Sequence, residues 1–181
     1  INSGDFTGQF DNISLMQGLS EKGRDSSLTK NQEKAGLIQC KKLKNNLNKP
    51  TLLKEIIKFC LYYIQDNTLI PDLTDFSYYI AVSTGFSGTS IDIIEEFNKK
   101  ILTENDLEKW TVEVINSYIS FENLKYNKIE NELKDILSKI KVKKIIPTDI
   151  NTWLNKYSDV ANHFFEIRTV TDNNLVNKLV E

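Results

Sequence analysis

The chain has 181 residues, of which 40% are hydrophobic, 10% aromatic and 27% charged, and its net charge is −2; this is the composition of a globular domain long enough to bury a core, not of a disordered or membrane chain. No apolar run approaches the roughly 20 residues that cross a bilayer, and the weakly acidic balance gives no global attraction for nucleic acid or anionic lipid. Two cysteines and one histidine exclude a disulfide framework and a Cys/His zinc site, so no metal ligands and no cofactor are assigned, and reduced thiols favour a cytoplasmic setting without fixing the compartment.

Residues 1–28 hold four of the seven glycines together with many Ser, Asp, Asn and Thr, and read as a flexible or extended N-terminal arm. The chain opens on Ile1 with no basic stretch leading into an apolar one, so a piece excised or processed from a larger protein is expected. Residues 29–181 read as a single helical domain. Thr29 is a plausible N-cap, and Ala35, Ile38, Leu43 and Leu47 approximate one helical face ending before Pro50. A second helix starts at Thr51, where Leu53, Ile56, Ile57, Cys60, Leu61 and Ile64 recur at i, i+3, i+4 spacing. Tyr78 to Val82 fits either a helix or a short strand.

After it, Ser90 is the expected cap of a helix carrying Ile91, Ile94, Phe97 and Ile101. Thr103 opens a segment with Leu107, Trp110, Val114 and Tyr118 at helical spacing. It is followed by one with Phe121, Leu124, Ile129, Leu133, Ile136, Leu137 and Ile140, the two forming one bent helix or a hairpin. Val142 to Ile146 is a strand or a helix end. Thr148 or Asp149 caps a long amphipathic stretch running through Trp153, Tyr157 and Phe164, and a last short amphipathic piece follows from Asp172. The sum is a mostly α fold: an irregular bundle of about six to eight helices with at most two short strands.

Strong amphipathic patterning without a catalytic motif points to a helical interaction domain that binds a partner protein through an inter-helix groove. The alternative is a nucleotide- or NAD-binding enzyme or sensor using the Ser/Thr/Gly-rich stretch 83–90. If Tyr78 to Val82 is extended, Ser83, Thr84, Ser87, Gly88 and Thr89 occupy a strand-to-helix turn whose N–H groups and hydroxyls suit a phosphate. Here "GFSGTS" resembles the Gly/Ser/Thr loops of flavodoxin-like and helicase-like α/β proteins, over about eight residues. The order Arg24, Ser83-Thr84, Glu130-x-Glu132 resembles that of mono-ADP-ribosyltransferases, with Gly85 in place of their third serine-motif residue. That resemblance implies an arginine and a serine on NAD and a glutamate at the oxocarbenium-like centre. The structural counterpart of the same loop is a joint, with Gly85 ending one helix in a left-handed conformation and Ser90 capping the next. His163 with Asp159 one turn earlier suggests a general base and its orienting carboxylate, or a rim residue beside Phe164. Lys41, Lys42 and Lys44 form a basic cluster that reads as a solvated helix face or a local polyanion site.

Overall fold

Asn31 and Gln32 both have left-handed φ angles, 51° and 68°. This is the two-residue turn whose twist matches a pair of antiparallel strands, and it joins β2 (Ser26–Lys30) to β3 (Glu33–Lys41). β1 (Asn12–Leu15) pairs antiparallel with β2. β3 pairs parallel with β4 (Ser77–Val82), and β4 parallel with β5 (Lys141–Ile145). The computed structural model describes residues 9–16, 22–70, 72–159 and 162. Within them the five strands form one mixed sheet in chain order.

This sheet overturns the expected helical bundle with at most two short strands; the protein is an α/β fold and not an all-α one. The helix expected from Thr29 to Leu47 is instead the end of β2, the hairpin, all of β3 and the loop beyond it. Ala35 and Ile38 belong to a strand paired on both sides, and Leu43 and Leu47 to the loop beyond it; an apolar run this short fits both periods. Tyr78–Val82 falls within β4 and Val142 within β5, so each ambiguous segment is extended.

Parallel strands need crossover connections, and helices supply them. α1 (Lys49–Gln65) links β3 to β4, while α2 (Gly88–Glu95), α3 (Phe97–Lys100), α4 (Leu107–Ser117) and α5 (Tyr126–Lys139) link β4 to β5. Both crossovers step across the sheet in the same direction, so the right-handed rule stacks their helices on one face. α1 lies at the centre of that layer, packed against α2, α4 and α5. Leu52, Leu53, Ile56, Ile57, Phe59, Cys60 and Leu61 are all buried there, covering both sides of a helix that has neighbours on both. Phe59 stacks on Phe76 at 5.6 Å between centroids and leans on Tyr78 at 5.5 Å. On the opposite face of the sheet, Phe10 meets Tyr79 edge to face at 6.0 Å.

The chain divides into two compact units, residues 1–147 and 148–181. α6 (Pro147–Lys156) has no buried side chain, and the Lys156 ammonium lies 5.4 Å from the centroid of Tyr157. His163, Phe164 and the rest of the C-terminal pattern lie outside the described residues, as do residues 1–8 and 17–21 of the expected arm. Among the described residues no helix is long and apolar enough to cross a membrane.

Candidate functional site

Alternation along β3 sends Leu37, Gln39 and Lys41 to the face that α1 covers. The antiparallel register with β2, in which Ser26 opposes Ile38 and Ser27 opposes Leu37, brings the preceding Asp25 beside Gln39. The Asp25 carboxylate accepts hydrogen bonds from the Gln39 side-chain amide at 2.9 Å and from the Cys40 backbone N–H at 2.5 Å, both on Oδ2. Two residues further along β3, the Lys41 ammonium pairs with Glu55 of α1 at 2.9 Å. Two polar pairs, Asp25 with Gln39 and Lys41 with Glu55, thus lie toward the end of β3.

The burial of these groups makes the arrangement costly. Gln39 is only 6% exposed, and its Oε1 has no hydrogen-bond donor among the described residues. The hydroxyl of Tyr78, paired in register with Leu37, is also buried without a partner there. An unmet buried polar group costs about 1–3 kcal/mol, and such orphans call for an explanation. Burial, reinforced by the negative charges of Glu55 and Asp25, pushes the Tyr78 phenol well above its ordinary value, so it stays protonated. Burial and Asp25 also raise the Cys40 thiol, which excludes it as a thiolate nucleophile near neutral pH.

Ser83, Thr84 and Ser87 do lie between a strand and a helix, at the carboxyl ends of β3 and β4, and Gly88 and Thr89 open α2 itself. Their hydroxyls, however, are engaged with the protein itself. Ser83 Oγ accepts from Leu43 N–H at 2.8 Å and donates to Leu43 C=O at 3.2 Å, and the Thr84 hydroxyl donates to Asn45 C=O at 3.0 Å. Leu47 N–H donates to Gly85 C=O at 2.8 Å, and Ser87 N–H to Leu47 C=O at 2.9 Å. The segment therefore braces the loop that follows Lys41. Ser87, not Ser90, caps α2, its side chain accepting from Ser90 N–H at 3.3 Å with Thr89 Oγ1 at 3.1 Å. Gly85 does not have a left-handed φ; a Cβ there would meet Asn46 Oδ1 at 3.1 Å, whereas one at Gly88 would meet nothing within 4 Å.

The residues of the ADP-ribosyltransferase-like order are engaged separately. Arg24 is buried just before β2 within the field of Asp66, Ser83 serves the brace, and Glu130 pairs with Lys134 along α5 at 2.6 Å. Asp159 is exposed, and its proposed partner His163 is outside the described residues. The sequence reading missed Asp25, Gln39 and Glu55, and took Lys41 only as part of a basic cluster. The available signal was Gln39-x-Lys41 at the inward positions of an otherwise apolar run. Comparison with protein-family models, curated proteins and solved structures returns no match.

Proposed function

We propose that the protein is a divalent-cation-dependent hydrolase of phosphodiester bonds whose substrate is a nucleic-acid strand. The observation that carries this reading is the buried Gln39 amide, whose Nε2 donates to the Asp25 carboxylate while its Oε1 has no donor among the described residues, with Lys41 two strand positions away. A carboxylate and an amide oxygen are donors for a hard cation. Among the described residues no group of three His, Cys, Asp or Glu is placed to hold a metal ion. The fit is therefore to an ion that keeps much of its shell as water and substrate oxygens, as Mg²⁺ does. This departs from the sequence reading, which assigned no metal. Once bound, such an ion stabilises the negative charge that develops on the phosphoryl oxygens.

The chain's own residues supply positioning and charge. The Cys40 N–H and the Gln39 amide fix the direction of Asp25. Lys41 presents an ammonium to a non-bridging phosphate oxygen or to the attacking water, and Glu55 orients it. In the reaction the water oxygen bonds to phosphorus, the phosphorus–ester oxygen bond breaks, and a proton ends on the departing oxygen. The carboxyl ends of parallel strands are where open α/β sheets bind ligands, and exposed Lys42 and Lys44 follow directly, giving an anionic strand local positive charge. The test is incubation of DNA and RNA oligonucleotides with Mg²⁺ or Mn²⁺ against a chelator control. Cleavage is expected to require the metal and to fall at least ~100-fold in Asp25→Asn and Lys41→Met, with the far-UV circular dichroism retained. Absence of wild-type cleavage with either metal, or full activity in Asp25→Asn, overturns the reading.

A second reading keeps the nucleotide alternative at residues 83–90, favoured by the strand-to-helix position of the stretch and the open space at Gly88. A thermal shift on adding a nucleotide, lost in Gly88→Trp, tests it. The partner-protein reading has less to rest on, because the apolar stripes of α1, α4 and α5 that motivated it are buried against the sheet and neighbouring helices.

A further inference from the structure

A cavity of about 490 Å³ opens between α1 and α4, with Thr51, Lys54, Glu55, Glu113, Asn116 and Tyr118 among its walls. Glu55 also holds Lys41, so the cavity shares a wall with the proposed reaction centre. We propose that it is a nucleobase subsite for a nucleotide adjoining the scissile phosphate, with Tyr118 as the stacking surface and Lys58 as its phosphate contact. The inference rests on the phosphodiester reading and adds to it how the strand is held.

Tyr118 closes α4 and is 37% exposed. The fully buried Phe121 props it edge-on at 5.8 Å between centroids. The Lys58 ammonium lies 4.9 Å from the Tyr118 centroid. A propped, part-exposed aromatic ring with a neighbouring cation is what a base and its phosphate require, since every base has a π-face. That ammonium lies over the ring, and neither carboxylate of the cavity engages it. Lys54 pairs with Glu113 at 2.5 Å and Glu55 with Lys41 at 2.9 Å, while Lys58 has no carboxylate partner among the described residues. Asn116 and Ser117 add exposed polar groups on the same wall, suited to the edge of a base.

The test measures binding without turnover. Fluorescence anisotropy of a labelled ten-nucleotide single strand, with Ca²⁺ as the ion, is compared with that of an abasic deoxyribose-phosphate strand of equal length. Tyr118→Leu is expected to weaken binding of the base-bearing strand about tenfold and leave the abasic strand unchanged, whereas Tyr118→Trp restores affinity. Lys58→Gln is expected to weaken both strands alike. Equal affinities of wild type and Tyr118→Leu for the base-bearing strand would overturn the inference, even if the wild type cleaves with Mg²⁺. Base-dependent binding through Tyr118 in a protein that cleaves neither DNA nor RNA would uphold the subsite and overturn the hydrolase reading. Tyr118 is part exposed at a helix end, and a retained melting temperature separates lost stacking from lost folding.

Discussion

Asp66 closes α1, and its carboxylate accepts from the Thr68 hydroxyl at 2.5 Å, the Thr68 N–H at 3.2 Å and the Lys22 ammonium at 2.9 Å. These bonds, first that from the Thr68 side chain and then that from Lys22, hold its pKa down to about 2. Because the folded value lies below the unfolded value of about 3.9, the charged form favours folding. That contribution is present above about pH 4 and is lost as pH falls through about 2. Asp66→Ala is therefore expected to melt below wild type at pH 7, with the difference shrinking between pH 4 and pH 2. A constant difference across that range would show that charge is not the cause. No comparable titration marks Gln39, whose significance lies in a polar atom held away from solvent and donors. Sequence alone shows a glutamine in an apolar run; it does not show that Asp25, fourteen positions earlier, accepts a hydrogen bond from its amide.

At the scale of elements, β3 depends on close approach and α2 does not. A Cβ on Gly36 would lie 2.8 Å from the Ser77 carbonyl oxygen of β4 and 3.2 Å from Phe10. Backbone cannot yield as a side chain can, so Gly36→Ala is expected to cost about 1–3 kcal/mol through strand displacement. Gly88→Ala, in the first turn of α2 with open space around it, is expected to be neutral or to gain up to about 1 kcal/mol from lower chain entropy. Paired denaturant titrations check both, and a larger loss at Gly88 than at Gly36 would contradict this account. The helices α1, α4 and α5 were legible from i, i+3, i+4 spacing because each is long enough for that period to repeat. β2 and β3 were not, since five to nine residues with Ala35, Leu37 and Ile38 clustered together satisfy either period, and only the sheet on both sides of β3 selects the extended form.

For the whole molecule, a net charge of −2 opposes an anionic strand at long range, so attraction is confined to Lys41, Lys42, Lys44 and Lys58. Affinity for a single-stranded oligonucleotide is expected to fall with salt as for about two to four phosphate contacts, a logarithmic slope of roughly −1.5 to −3. A slope steeper than about −5 would require a binding surface broader than this cluster. By itself the sequence determined a chain that buries a core, the long amphipathic helices, and the lack of an apolar run long enough to span a bilayer, because composition and the 3.6-residue period are local properties. The tertiary structure decided the sheet, the brace between the loops after β3 and β4, and the meeting of Asp25, Gln39, Lys41 and Glu55. Those features depend on strand register and on the crossover that lays α1 over β3, and neither is encoded within any window of residues short enough to be read alone.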